Sequence, residues 1–498
     1  AFAQKMEREG LPQIAIDAFL RAVSFVAEGG ETTIPESSIE SIADLDHLDG
    51  LDSFASAGRA AAPKTVVLKL NGGLGTSMGL SKAKSLLPVR DGITFLDLIA
   101  RQVLAQREAW GSQLPLVLMN SYRTRDDSLA ALSVYPDLGT DLPLDFVQHK
   151  VPRIDVESFS PSTWSDDPSL EWCPPGHGDL YIALKSSGML DELLGRGIRY
   201  AFISNADNLG AVLDPRILGW FAERGLPFAM EVAERTEADR KGGHLARRNG
   251  QLMLREVAQC PDEDLAHFQD VTKHRYFNTN NLWLDLEALA TALDATPGGL
   301  PLPVIRNKKS PSPRDDGSPQ CYQLETAMGS AIECFEGAEA IVVSRDRFSP
   351  VKTTADLLSL WSDAYELTED ARMVAADPEA HRARVIDLDS TYYGKVDALA
   401  ARFPDGAPSL IKCRRLSIVG DHTFGADVVV EGDAHLVNES GEPVHIRAGA
   451  VIGEDSQVRP AASESRGASV DCSTHRGEGS LLERFAHPRM RVADAFGC

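Results

Sequence analysis

The stretch of sequence that decides the fold is residues 66–97, VVLKLNGGLGTSMGLSKAKSLLPVRDGITFLD. It opens with an apolar run, 66–70, which stops at Asn71 and two glycines, a pattern typical of a buried strand ending at a loop. The loop is rich in glycine, and Lys82 and Lys84 follow it. Because backbone N–H groups can approach phosphate oxygens where no Cβ intervenes, we expect this loop to bind a nucleotide.

Two common phosphate-binding templates do not fit this loop. A P-loop needs Lys-Ser or Lys-Thr directly after its closing glycine, but Gly79 is followed by Leu80 and Ser81. The dinucleotide fingerprint needs a third glycine where the chain has Met78. A tight turn that binds nothing is the remaining alternative, and the density of glycines followed by two lysines argues against it.

Composition limits the classes of protein that the chain can represent. Its 498 residues predict two or three domains, and its 43% hydrophobic content is typical of a globular protein. A formal charge of −23 argues against nucleic acid as a partner. No apolar run is long enough to span a membrane, and the first residues lack the apolar core of a secretion signal. The seven scattered cysteines lack CxxC spacing, which predicts a reduced, cytoplasmic protein.

Short apolar runs alternate with helical patterns between residues 63 and about 365. The runs are 66–70, 114–120, 144–148, 200–204, 227–232, 282–284 and 340–343. This order predicts a mainly parallel α/β sheet with helices on both faces, with ligands beyond the carboxyl ends of the strands. A core helix is expected over 323–331, and a polar, helical connector is expected over 367–388.

Polar motifs follow several of these runs. Gln148 ends one run, and its amide offers both a hydrogen-bond donor and an acceptor. Asp207 follows another, where a carboxylate suits Mg²⁺. The further motifs are PPGHGD at 174–179, SNADNLG at 204–210, KGG at 241–243, REVAQ at 255–259, FNTNNLW at 277–283 and RFSPVKTTADL at 347–357.

Together with LNGGLGTSMG, these motifs resemble those of the eukaryotic-type UTP:glucose-1-phosphate uridylyltransferases, also called UDP-glucose pyrophosphorylases. The resemblance covers nearly all of the chain up to its C-terminal module. It implies a Rossmann-like, GT-A-like nucleotidyltransferase domain with a mixed sheet. It also implies reversible, Mg²⁺-assisted transfer of a uridylyl group from UTP to glucose 1-phosphate, giving UDP-glucose and pyrophosphate, without a nucleophilic side chain.

The resemblance also implies a role for individual residues. Lys84 and Lys352 would be catalytic, and Asp207 would bind the metal. The nucleotide-binding residues would be Leu70, Gly72, Gly73, Gln148, Gly176 and His177. The sugar-binding residues would be Asn205, Gly243, Glu256, Asn278 and Asn280, because sugar hydroxyls need paired donors and acceptors.

Two positions depart from the family pattern. Lys82 and Ala83 stand where the family usually has Gly-Pro, so Lys82 is a second candidate for the charge role of Lys84. Arg255 stands in place of an expected valine. Two alternatives to the main interpretation stay open: a UDP-N-acetylhexosamine or broad UDP-sugar pyrophosphorylase, and a non-catalytic scaffold that binds UDP-sugars.

Four regions are expected along the chain. Residues 1–60 form a helical cap and arm, 61–385 the catalytic domain, 386–460 a C-terminal module, and 461–498 a polar tail. In the module, apolar residues recur every six positions, with glycines between them, which predicts a parallel β-helix that we take as left-handed. The recurring residues are Ile418, Phe424, Val430 and Leu436, followed by Ile446 and Ile452. Such a module often supports a homo-oligomer.

Overall fold

The computed structural model describes residues 1–310 and 320–454. The predicted tail 461–498 and the end of the predicted module 386–460 lie outside these residues. The chain divides into two compact units. The first unit contains Ala1–Gly73 and Ile99–Ser349, and the second contains Leu74–Leu98 and the chain from Pro350 onward. None of the described helices is both long enough and apolar enough to cross a membrane.

A mixed central sheet organises the first unit. In spatial order its strands are Asp46–His47, Glu339–Val342, Phe228–Glu234, Tyr276–Asp285, Tyr200–Asn205, Thr65–Asn71, Leu116–Asn120 and Asp145–Val147. Tyr276–Asp285 pairs antiparallel with both neighbours, and the other pairs along this path are parallel. A hairpin, His244–Arg248 with Gln251–Arg255, attaches to Tyr276–Asp285. Each predicted apolar run overlaps one of these strands.

The inner strands of the central sheet are mostly apolar because both faces of the sheet are covered there. In Thr65–Asn71 every residue except Leu70 is buried, and Leu116–Asn120 is buried along its whole length. One large core cluster includes Leu68, Val117 and Ile203. The rings of Phe202 and Trp283 pack with their centroids 4.7 Å apart. The continuous apolar runs in the sequence are therefore explained by a sheet that is shielded from water on both faces.

Helices surround the sheet in the chain order that the pattern predicts. Those of the first unit are Phe2–Arg8, Gln13–Ala27, Ala55–Ala61, Arg125–Leu132, Leu180–Ser186, Met189–Gly195, Pro215–Glu223, Leu265–Phe268 and Leu286–Ala295. A further helix, Phe95–Trp110, begins in the second unit and ends in the first. The predicted N-terminal helix is confirmed, because Gln13–Ala27 buries Ile16, Phe19 and Val23.

The predicted core helix over 323–331 is wrong. Cys321–Glu325 is a strand that pairs with Ile305–Lys309, and a 3₁₀ helix, Met328–Cys334, follows it. Between them the backbone of Thr326 donates to the Pro175 carbonyl at 2.9 Å and accepts from the Gly178 N–H at 2.8 Å. These distant backbone bonds require an extended chain, so tertiary pairing overrides the local helical pattern.

The second unit contains short strands and helices. Its helices are Thr354–Trp361, Pro378–Ala383, Ser390–Tyr393 and Val396–Arg402. Its strands are Pro88–Arg90, Ile93–Thr94, Tyr365–Leu367, Met373–Ala375, Val385–Leu388, Cys413–Val419, His422–Phe424, Val429–Val430, Gly432–Val437, Val444–Ile446 and Val451–Ile452. The expectation of a helical connector over 367–388 is therefore wrong in part, because strands flank its short helix.

Several C-terminal strands pair in parallel with strands that lie later in the chain. Phe424 pairs with Ile446, and Val430 pairs with Ile452. Cys413–Val419 likewise pairs in parallel with Gly432–Val437. The residues that recur at six-residue spacing are all buried, as the spacing predicts: Ile418, Phe424, Val430, Leu436, Ile446 and Ile452.

Candidate active site

Four parallel strands end side by side at one edge of the central sheet. The register pairs Leu70 with Asn205 on one side and with Met119 on the other, and pairs Asn120 with Val147. The segments that follow these strands therefore leave the sheet next to one another. The predicted site residues at this edge are Leu70, Gly72, Gly73, Gln148, Asn205 and Asp207.

Gly72 and Gln148 approach each other closely at this edge. A Cβ on Gly72 would lie 2.8 Å from Oε1 and 2.9 Å from Nε2 of Gln148, so any other residue here would displace the amide from its present position. The backbone N–H of Gln148 donates to the Asn120 carbonyl at 2.8 Å. The glycine loop therefore adjoins the Gln148 amide, which is predicted to bind the nucleotide. The sequence alone did not show this contact.

The loop that carries Gly176 and His177 is fixed by the segment around Thr326. The Nδ1 atom of His177 accepts the backbone N–H of Met328 at 2.9 Å. Burial lowers the pKa of His177 to about 4. The ring is therefore neutral at pH 7, with Nδ1 as the acceptor and the proton on Nε2. His177 can serve as a neutral hydrogen-bond donor through Nε2, and this geometry gives no support for a general base.

We expect the ring of His177 to stay neutral when the pH falls from 8 to 5. Its pKa is depressed, so protonation should begin only near the lowered value and not near 6.5, the ordinary value. NMR of histidine-labelled protein measures this, with His177→Asn assigning the resonance, because the Asn oxygen keeps the acceptor for Met328. A titration midpoint near 6.5 would contradict the neutral donor.

Four of the five residues predicted to bind the sugar, Gly243, Glu256, Asn278 and Asn280, form one cluster. The Gly243 carbonyl accepts the backbone N–H of Asn278 at 3.2 Å, and a Cβ on Gly243 would lie 2.5 Å from Oε2 of Glu256. The side chain of Asn278 donates to Oδ1 of Asn280 at 2.8 Å. Asn280 has φ +59 at an irregularity in its strand. Antiparallel pairing with Tyr200–Asn205 brings this end of the strand to the same edge of the sheet.

A buried lysine supports the segment that carries Asp207. Nζ of Lys69 donates to Oγ of Ser204 and to the Ala211 carbonyl, each at 2.7 Å, and so joins the two ends of that segment. Burial, together with the positive charge of Arg347, lowers the pKa of Lys69 to about 7. We did not assign Lys69 from the sequence, although it stands in the stretch that decides the fold, because it reads there as part of an apolar strand.

The two predicted catalytic lysines both belong to the second unit. Lys84 begins a 3₁₀ turn, Lys84–Leu86. Lys352 is exposed and directly precedes Thr353, the N-cap of the helix Thr354–Trp361. Lys395, which the sequence did not single out, donates from Nζ to the Ser77 carbonyl of the glycine loop at 2.9 Å. The division between the units falls within this loop, directly after Gly73.

The sequence and the fold both match known proteins. The family model described as UTP--glucose-1-phosphate uridylyltransferase matches residues 16–431. The chain belongs to this family. It is 37% identical to UTP--glucose-1-phosphate uridylyltransferase of Solanum tuberosum, over 89% of this chain and 93% of that protein. It is 39% identical to the Saccharomyces cerevisiae enzyme of the same name, over 78% and 77%.

Solved structures of UDP-glucose pyrophosphorylases share the fold. A variant from Leishmania major in complex with UDP-glucose has a TM-score of 0.85 and 43% identity, covering 92% of this chain and 99% of that one. The Trypanosoma brucei protein has a TM-score of 0.82 and 45% identity, covering 91% and 97%. The mixed α/β architecture with a mixed central sheet is thus that of the uridylyltransferase family.

The structure accounts for one departure from the pattern of the uridylyltransferase family. Arg255 is fully buried, and its guanidinium donates to Glu36 at 2.7 Å and to Asp264 at 3.5 Å. Burial alone would raise the pKa of Glu36, but hydrogen bonds from Lys273 and His274 outweigh it and lower the pKa to about 2. A charged arginine is therefore tolerated here because the N-terminal arm supplies its carboxylate.

The described residues can be compared with the ligand sets that metal ions require. In residues 1–310 and 320–454, no group of three or more His, Cys, Asp or Glu side chains is arranged to hold an ion. Mg²⁺ commonly binds one or two carboxylates together with substrate phosphates and water. A single carboxylate at a strand end, such as Asp207, fits that kind of binding.

Proposed function

We propose that the chain catalyses the reversible transfer of a uridylyl group from UTP to glucose 1-phosphate. A phosphate oxygen of glucose 1-phosphate attacks the α-phosphorus of UTP in line, the bond to the bridging oxygen breaks, and pyrophosphate leaves with the electron pair. The close approach of Gly72 and the Gln148 amide supports this most directly. It places a glycine loop suited to phosphate beside an amide suited to a nucleotide base, at one edge of the sheet. Membership of the uridylyltransferase family supports it independently.

The residues of the first unit would bind and orient the two substrates. Gln148 would pair with the uracil edge, and the neutral His177 would donate from Nε2 to the nucleotide. Leu70, Gly72, Gly73 and Gly176 would line the nucleotide. Asn205, Gly243, Glu256, Asn278 and Asn280 would bind the sugar hydroxyls. The side chain of Glu256 accepts the backbone N–H of Gln259, which fixes the carboxylate beside Gly243.

Positive charge would offset the charge on the phosphates. We propose that Lys84, with Lys82 as the alternative, contacts the triphosphate, and that Lys352 contacts the sugar phosphate and the transferring group. Asp207 would hold Mg²⁺, which when bound supplies positive charge to the phosphate oxygens. Holding the reactants in line accounts for the rest of the rate, since no covalent intermediate is needed.

Purified protein with UTP, Mg²⁺ and glucose 1-phosphate is expected to release pyrophosphate, measured with a coupled phosphatase. Galactose 1-phosphate and N-acetylglucosamine 1-phosphate in the same assay test the alternative of a UDP-N-acetylhexosamine or broad UDP-sugar pyrophosphorylase. Turnover of glucose 1-phosphate alone supports the narrow assignment. If no sugar phosphate releases pyrophosphate while UDP-glucose still binds, the chain is a UDP-sugar-binding scaffold.

We further propose the regions expected from the sequence. Residues 1–60 are a cap and arm, 61–385 a GT-A-like catalytic domain with helices on both sheet faces, and 386–460 a left-handed parallel β-helix that supports a homo-oligomer. The parallel pairing of Phe424 with Ile446 and of Val430 with Ile452 supports the β-helix. Free thiols at Cys173, Cys260, Cys321, Cys334 and Cys413 support a reducing, cytoplasmic setting.

A further inference from the structure

A buried carboxylate connects the two loops that we propose bind the nucleotide. Asp179 stands two residues after His177, and only 5% of it is exposed. One of its oxygens accepts the backbone N–H of His149 at 2.7 Å, and the other pairs with Nδ1 of the same residue at 2.8 Å. His149 directly follows Gln148, so Asp179 anchors the chain beside the base reader.

The imidazole of His149 extends this connection to a serine. Its Nε2 lies 3.0 Å from Oγ of Ser186, so the ring bridges the carboxylate and the hydroxyl. The order Asp, His, Ser is that of a hydrolase triad, but Ser186 ends the helix Leu180–Ser186. The end of a helix presents carbonyls and not the N–H groups that an oxyanion needs. The three groups are therefore suited to fix a loop and not to cleave a bond.

The space beside this connection is not filled by side chains. A cavity of about 310 Å³ in the first unit is lined in part by His149, Gly178, Asp179 and Thr326. Close packing normally fixes a buried side chain, but atoms that border a cavity lack neighbours on that side. On the side of the cavity, packing contributes little to the position of His149. The hydrogen bonds to Asp179 therefore contribute more than packing to holding His149 and the adjacent Gln148 in place.

The position of the Gln148 amide matters because a primary amide can read two bases. In one orientation its oxygen accepts the N3–H of uracil and its NH₂ donates to a uracil carbonyl. Rotated by half a turn, the same amide matches the N3 acceptor and the amino donor of cytosine. Selectivity therefore requires an amide that is held in one place and one orientation.

We infer that Asp179 is a positioning residue that holds the Gln148 amide in the orientation for uracil and so sets the preference for UTP over CTP. This inference rests on the proposed function. Asp179 accepts the backbone N–H of His149, the residue that directly follows Gln148. The backbone N–H of Gln148 donates to the Asn120 carbonyl, and the Gln148 amide adjoins Gly72.

Replacing Asp179 with alanine tests this, because it removes both acceptors of His149. The kcat/KM for UTP is expected to fall about a hundredfold through misplacement of the base. The ratio of kcat/KM for UTP to that for CTP is expected to fall at least about tenfold. Asp179→Asn is expected to restore most of the ratio, since its oxygen still accepts the His149 N–H and the imidazole can exchange tautomers.

Asp285→Ala is the matched control. Asp285 is 4% exposed, accepts two backbone N–H groups at the start of the helix Leu286–Ala295, and pairs with Arg199 at 2.8 Å. It lies at the far end of its strand from Asn278 and Asn280. We expect this variant to lose thermal stability much as Asp179→Ala does, while its UTP to CTP ratio stays that of the wild type.

Several results would overturn the inference. An unchanged UTP to CTP ratio in Asp179→Ala, or an equal fall in the Asp285→Ala control, would show a purely structural role. If Asp179→Ala does not fold, Asp179→Ser is used in its place. One serine hydroxyl cannot satisfy both the backbone and the ring nitrogen of His149, so the same fall in the UTP to CTP ratio is expected. Calorimetry compares the binding of UTP with that of CTP and needs no turnover. Failure of the proposed reaction can therefore be distinguished from failure of this inference. Equal binding of UTP and CTP by the wild type would contradict the role of Gln148 and this inference with it.

Discussion

Replacing Lys352 with alanine is expected to lower the turnover of UTP and glucose 1-phosphate at least about a hundredfold. The physical reason is that its ammonium group would offset charge that develops on the transferring phosphoryl group, and loss of one such donor typically costs about 3 kcal/mol. The fold should be unaffected. Asp356 accepts the backbone N–H groups of Lys352 and Thr353 at 2.8 and 2.7 Å, and neither bond involves the lysine side chain.

Two further variants separate charge from structure. Lys352→Arg keeps the positive charge and is expected to retain more activity than Lys352→Ala. Lys412→Ala removes another exposed lysine of the second unit, which pairs with Glu431 in a surface ion pair at 2.8 Å, and is expected to leave turnover unchanged. Steady-state kcat and KM for both substrates are the measurement. Wild-type turnover in Lys352→Ala would remove Lys352 from the catalytic residues.

The central sheet could be predicted from the sequence because its strands are buried on both faces. A run such as 66–70 is apolar at every position except Lys69, which identifies it as a strand without knowledge of its neighbours. The C-terminal spacing is equally local: Ile418, Phe424 and Val430 recur every six residues, and all are buried. The expectation that ligand-binding loops follow parallel strands needed no knowledge of long-range pairing, because such loops lie beyond the carboxyl ends of the strands.

Contacts between residues distant in the sequence could not be predicted. The segment 323–331 has a helical pattern, but Thr326 bonds to the backbone of Pro175 and Gly178, and no local signal reveals this. Arg255 likewise gave no sign that Glu36 would pair with it. In both cases the decisive partner lies more than a hundred residues away, and satisfying buried polar groups outweighs local preference.

The candidate site shows the same division between local and distant signals. The motif PPGHGD drew attention to His177, yet the residue with the most consequential contacts is Asp179, which ends that motif. The sequence did not indicate the role of Lys69, because a lysine within an apolar strand has no predictable partner. Its acceptors, Ser204 and Ala211, come from another part of the chain. Motifs therefore located the loops, while the bonds that position them required the structure.

Replacing Arg347 with methionine is expected to lower the free energy of unfolding by about 3–5 kcal/mol. Arg347 donates two hydrogen bonds, at 2.8 and 2.6 Å, to Glu231, which is fully buried. Trp283 and Asn281 also donate to that carboxylate, each at 3.0 Å, but neither carries a charge. The variant would leave Glu231 without its hydrogen-bonded cation in a low-dielectric interior, and this costs more free energy than a broken surface ion pair.

A second variant and a control make this prediction specific. Arg224→Met removes an exposed arginine that pairs with Glu339 at 3.0 Å and Asp46 at 3.1 Å, and it is expected to cost no more than about 1 kcal/mol. The double variant Glu231→Gln with Arg347→Met removes both charges and should recover part of the loss, because the amide oxygen still accepts from Trp283. Urea denaturation of the four proteins provides the measurement. Equal losses in Arg347→Met and Arg224→Met would contradict the prediction, because they would mean that Glu231 becomes hydrated or protonated when its partner is removed.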